Sequence, residues 1–147
     1  MLKGLDPLLG PDLLHLLASM GHGDEIVIAD ANFPAAALAR RLVRLDGVSA
    51  PDAAAAIVSV LPLDDFTPNA AFTMSPSGPH RDAAPALPEV CRAFETVLRA
   101  AGYDRGLEAI ERTEFYERAR AAFGVVATGE RRLWGNLILK KGAVSPR

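Results

Sequence analysis

The chain has 147 residues, half of them hydrophobic, with 16 basic against 18 acidic side chains and a net charge of −2. That length supports one complete core and is short for two ordinary domains, so residues 1–147 are read as a single domain. The mixed charge supplies no basic stripe for nucleic acid and no acidic tail, and the one cysteine, Cys91, excludes an internal disulfide and has no partners at zinc spacing.

The leucine-rich start, "MLKGLDPLLGPDLLHLLASM", is interrupted by Asp6, Pro7, Pro11 and Asp12 and so differs from a signal peptide. No apolar run approaches the roughly 20 residues of a membrane helix. The expectation is a soluble, cytoplasmic protein. Within this start, Pro11 at a first helical position and Gly21 as a C-cap delimit a short helix. "EIVIAD" follows as a strand whose continuous β-branched run indicates cover on both faces.

"AAALARRLVRLDG" reads as a helical turn followed by a strand at 42–45. Ser49, Pro51 and Asp52 open a helix that runs apolar to Leu61. "AAFTM" is a strand, and the four-proline segment 75–88 is a loop. "EVCRAFETVLRAAG" carries a helical stripe stopped by Gly102. "LEAIER" is a strand, Thr113 caps the helix "EFYERARAAF", and "GVVATG" and "NLILKKG" are two strands too close together to enclose a helix. The alternation predicts an α/β class, a three-layer αβα domain with a mixed sheet.

The triplet "GHG" at 21–23 follows a helix and opens a strand, the reverse of the dinucleotide glycine fingerprint. His22 is the polar side chain of that triplet, and histidine is the side chain able to give and take a proton near neutrality. The plainer reading is a solvated loop histidine, as for His80, with His15 at the boundary of a leucine helix. Asp30 ends an apolar strand at the edge where α/β sheets usually bind ligands, against the alternative of a turn aspartate. Arg112 sits at another strand end, Tyr116 one helical turn later, and Trp134 and Asn136 flank Gly135 before the last strand.

His22 and Asp30 are eight residues apart, roughly 26 Å if fully extended at about 3.3 Å per residue. For both to serve one small molecule, the loop around "GHGD" must fold back or another subunit must complete the site. The second is the expectation, and it ties activity to the oligomer.

The stretches "LLGPDLLHLLASMGHGDEIVIADANFP", "LDG" and "IERTEFYERARAAFGVVATGERRLWGNLILKKG" resemble the L-fucose mutarotase and D-ribose pyranase family, closer to its fucose branch. The resemblance runs from Met1 to about Gly142 and is weakest over 64–88. It implies an RbsD-like fold and interconversion of sugar anomers by ring opening and closure, without metal or nucleotide. It further implies His22 as general acid; by their chemistry Asp30 would bind hydroxyls or accept the anomeric proton, and Tyr116 would relay a proton or only pack. Asp30, Arg112, Trp134, Gly135 and Asn136 would contact a monosaccharide, L-fucose foremost, in a ring-shaped homo-oligomer, commonly a decamer, with sites between subunits. The family turn more usually carries tyrosine where this chain has Trp134, whose indole donates but cannot accept or titrate. The competing readings are a sugar-binding module with little turnover, pyranose–furanose exchange of D-ribose, a metal enzyme using His22, Asp24 and Glu25, and a structural ring.

Overall fold

The structure, a computed structural model, describes residues 1–146. Five helices and six strands alternate: α1 (Pro11–Ser19), β1 (Glu25–Ala29), α2 (Ala35–Leu38), β2 (Leu42–Leu45), α3 (Ala50–Val58), β3 (Ala71–Met74), α4 (Glu89–Ala100), β4 (Glu108–Ile110), α5 (Arg112–Ala121), β5 (Gly124–Thr128) and β6 (Leu137–Lys140). The strands form one sheet in the order β2-β5-β1-β6-β3-β4. β1 and β2 pair parallel to β5, and β3 pairs parallel to β4, whereas β6 runs antiparallel to both its neighbours, β1 and β3.

Side chains alternate across the sheet and assign its two faces. Ile26, Ile28, Val126, Leu137 and Leu139 pack with α1, α3 and α4 on one side. Val27, Ala29, Phe72, Val125 and Ile138 pack with Phe115 and Ala119 of α5 and with Ala35 of α2 on the other. The three expected layers are present, and the β-branched run 26–28 is fully buried because both faces of β1 are covered. Among the described residues, no helix is long and apolar enough to cross a membrane.

Several local expectations are corrected. Gly21 does not cap α1. The helix ends in an extended Met20, and the Gly21 amide is held by the Asp24 carboxylate at 2.7 Å. α3 stops at Val58 rather than Leu61, although Ser49 does cap it, accepting from the Asp52 amide at 3.2 Å. Thr113 is not a cap, because α5 already begins at Arg112, after Glu111. β5 and β6 are close in sequence but not paired, since β1 lies between them.

Candidate active site

The parallel strands deliver their C-terminal ends to one edge of the sheet, and the reversed β6 brings its start there too. Asp30 follows β1, Arg112 follows β4, the loop from Ser75 follows β3, and Trp134, Gly135 and Asn136 lead into β6. Together they enclose a cleft of about 680 Å³ lined by Asp30, Phe33, His80, Arg112, Tyr116, Trp134 and Asn136 among others. His80, exposed as expected, nevertheless sits on the wall of this cleft.

Asp30 is buried at 6 % exposure on the cleft floor. Its Oδ2 accepts from Asn136 Nδ2 at 2.8 Å and its Oδ1 from the Asn32 amide at 3.0 Å. Burial pushes its carboxyl above the ordinary carboxylate range, with the Asn32 amide and Asn136 opposing. Asp30 therefore bonds to the backbone of its own turn and also lines the cleft.

Arg112 and Tyr116, four apart on α5, share one helix face. Arg112 Nη2 donates to the Tyr116 hydroxyl at 3.3 Å, with the guanidinium carbon 4.9 Å from the ring centroid. Phe33 packs against Tyr116 with the rings tilted by 39° and their centroids 5.2 Å apart. Trp134 adopts φ +62°, a left-handed conformation uncommon for a bulky residue. Gly135 is required sterically, since a Cβ there would meet Glu130 Cγ at 2.7 Å and the Arg132 carbonyl at 3.2 Å. Glu130 anchors this turn. Buried at 4 % exposure, it takes Arg132 in a two-pronged pair, both contacts 2.9 Å, and accepts from the Ala50 amide at 3.3 Å. Arg132 draws its carboxyl down to about 2.

The structure does not bring His22 to this cleft. His22 precedes β1 and lies at the opposite edge of the sheet, where the Gly23 amide donates to the Lys141 carbonyl at 2.9 Å beyond the far end of β6. The "GHGD" loop does not fold back, and β1 alone separates the two edges by roughly 17 Å. Gly23 holds φ +87°, a left-handed conformation that glycine adopts without steric cost.

At that edge His22 Nε2 lies 2.9 Å from Oδ1 of the fully buried Asp64, and its ring stacks on Phe66 at 4.7 Å between centroids. Asp64 also accepts from Thr67 Oγ1 at 2.5 Å and the Phe66 amide at 3.2 Å, with Lys140 Nζ at 3.7 Å. These contacts, the Thr67 hydroxyl first and then His22, hold its carboxyl well below the usual carboxylate range. An ionised carboxylate opposite Nε2 keeps a proton on that nitrogen and leaves Nδ1 as the nitrogen that can exchange a proton with a ligand. Phe66 remains 75 % exposed beside the histidine. Asp64 and Phe66 were not singled out from the sequence, and the cue available was the acid-aromatic "LDDF" following an apolar helix.

His22, Asp24 and Glu25 do not converge. Asp24 binds the Gly21 amide, Glu25 pairs with Arg118, and His22 with Asp64. Among the described residues, no group of three or more histidine, cysteine or acidic side chains is placed to hold a metal ion.

A mixed α/β sheet with a polar, aromatic-walled cleft at the strand ends defines a protein that binds a small polar molecule. Residues 3–144 match the model of the RbsD / FucU transport protein family, and the chain belongs to that family. It is 48 % identical to the fucose mutarotase of Homo sapiens, over 98 % of this chain and 95 % of that one. A solved fucose mutarotase from Streptococcus pneumoniae, in complex with L-fucose, superposes with a TM-score of 0.89 at 38 % identity, covering 98 % of this chain and all of that one. Bacillus subtilis RbsD, solved with D-ribose, shares the fold at a TM-score of 0.72 and 23 % identity, covering 99 % of this chain and 100 % of that one.

Proposed function

We propose that this chain is an aldose mutarotase that interconverts the α and β anomers of L-fucose. In this reading it is a single cytoplasmic domain that needs neither metal nor nucleotide and works as a homo-oligomeric ring, commonly a decamer in this family. The observation that carries it is a buried Asp30 in a cleft with Arg112, Tyr116, Trp134 and Asn136, in a chain similar over nearly its whole length to proteins named fucose mutarotase.

Ring opening takes a proton from the anomeric hydroxyl and gives one to the ring oxygen as the C1–O5 bond breaks. Closure on the other face of the aldehyde reverses both transfers. Asp30 accepts the anomeric proton, and its raised pKa brings it nearer to the working pH at which a base is effective. Its hydrogen bond from Asn136 fixes which lone pairs face the sugar. His22 supplies the other proton through Nδ1, with Asp64 stabilising the charged ring. Such acid-base assistance is worth about 10²- to 10⁴-fold.

In this reading the His22, Asp64 and Phe66 cluster of one copy completes the cleft of the next, and the distance of His22 from Asp30 across its own sheet supports it. Arg112 and the amide of Asn136 orient hydroxyls. Trp134 is a stacking platform with one N–H donor and takes no part in proton transfer.

The test is NMR saturation transfer between the α and β anomeric protons of L-fucose, repeated with D-ribose and with chelator. Protein-dependent transfer that survives chelation is expected. Binding without transfer would replace the mutarotase by a sugar-binding module, and transfer lost in chelator would replace it by a metal enzyme.

A further inference from the structure

Segment 64–70 supplies both contacts on His22, the Asp64 carboxylate and the Phe66 ring, yet it contains no helix or strand of its own. Its backbone is held by residues that lie between α4 and the start of β4. Arg105 donates from Nη2 to the Asp64 carbonyl, and from Nη1 to the carbonyls of Thr67 at 2.6 Å and Pro68 at 3.3 Å. Its guanidinium carbon lies 4.7 Å from the centroid of the Tyr103 ring. The Tyr103 hydroxyl accepts from the Ala70 amide at 3.0 Å, and Asn69 Nδ2 donates to Glu108 Oε2 at 2.8 Å. The three carbonyls are met at two different guanidinium nitrogens, a spread of donors that arginine's planar fork has and lysine's single nitrogen lacks.

We infer that Arg105 is a positioning residue for the His22–Asp64 pair. It touches neither the histidine nor the cleft, and it sets the loop that aims both. Apart from Lys140 and His22 itself, the partners of the Asp64 carboxylate, the Thr67 hydroxyl and the Phe66 amide, belong to that same loop. The carboxylate is therefore placed only as well as the loop backbone. Catalytic groups displaced by about 1 Å lose on the order of 10²-fold in rate, so a partial loosening is visible in turnover. The inference takes its activity readout from the mutarotase reading; its second readout is independent of it.

The experiment compares the full-length protein with Arg105→Gln, Arg105→Lys, Asp64→Asn and the double variant Arg105→Gln with Asp64→Asn. L-fucose exchange is measured alongside the imidazole ¹⁵N signals of His22. Both Arg105 variants should lower kcat roughly tenfold with KM nearly unchanged, because the pair acts in the transition state. The His22 ring signals should shift in both, and lysine should not restore them. In the Asp64→Asn background the Arg105 substitution should cost little more, since groups acting through one another are not additive.

A folded Arg105 variant with normal kcat and unshifted His22 signals overturns the inference, as does a loss that multiplies fully with that of Asp64→Asn. If Arg105→Gln does not fold, Arg105→Lys decides. A wild-type protein without exchange would sink the mutarotase reading and leave the His22 signals to decide this one.

Discussion

Asp30 and Asn136, 106 positions apart, close a reciprocal pair of hydrogen bonds: the Asp30 amide donates to Asn136 Oδ1 at 2.9 Å and Asn136 Nδ2 donates to Asp30 Oδ2 at 2.8 Å. The pair ties the end of β1 to the start of the antiparallel β6 and shapes the floor of the cleft. Asn136→Ala leaves a buried amide and a buried carboxylate oxygen without these partners, each worth about 1–3 kcal/mol. Denaturant unfolding should show a loss of about 2–4 kcal/mol, and L-fucose exchange should fall with it. A variant of unchanged stability would mean that water replaces the amide.

The raised pKa of Asp30 fixes a direction for the pH dependence of turnover. Burial disfavours its charged form, so the limb where the base becomes protonated should lie above the ordinary aspartate value of about 3.9. Asp30→Asn should abolish that limb together with most of the activity. A profile with its acid limb at the ordinary value would assign the base to another group.

His22 is 43 % exposed in its side chain, so removing it should leave the fold intact. His22→Ala should lower exchange by about 10²- to 10⁴-fold with little change in thermal stability. If sites are shared between copies, mixing inactive His22→Ala and Asp30→Asn chains should recover about a quarter of the activity, because random assembly in a symmetric ring rebuilds that share of sites. No recovery after demonstrated subunit exchange would count against shared sites.

Glu130 couples the fold to acid. Its pKa is drawn to about 2, chiefly by Arg132, so it binds protons more weakly folded than unfolded. The stability it contributes is fully present above its ordinary value of about 4.3 and is lost as pH falls through about 2. Thermal melts across that window should show a fall in Tm that is shallower in Glu130→Gln, which starts less stable at neutral pH. Asp64, also held low, acts in the same direction.

Trp134 tests how the sugar is held. Trp134→Phe keeps a stacking face and loses the N–H, whereas Trp134→Ala loses both. The first should raise KM about twofold and the second by up to about tenfold, as expected for a lost aromatic contact of about 0.5–1.5 kcal/mol. A large fall in kcat for Trp134→Phe with KM unchanged would give the indole N–H a part in the chemistry.

Much of the fold is legible along the chain because its signals are local. The β-branched run 26–28, the Ser49 cap with Pro51 and Asp52 behind it, and the helical stripe of 89–100 depend on neighbours within a few residues. Strand ends point Asp30 and Arg112 to one rim, helical spacing leaves Tyr116 between rim and core, and Trp134 and Asn136 enter through the family resemblance; the cleft is lined by all five. Helix boundaries were less so. Thr113 has the right chemistry for a cap, but the chain turns into α5 one residue earlier, with Arg112 facing Tyr116.

By itself, then, the sequence determined the order of strands and helices, the covered faces of β1 and the residue types available for acid-base work. Tertiary structure alone decided that β6 enters antiparallel beside β1, which joins Asn136 to Asp30. It also decided that the irregular segment after α3 brings Asp64 under His22, 42 positions away. Periodicity and capping are written in adjacent residues, whereas strand pairing and buried hydrogen bonds depend on which distant segments share one core.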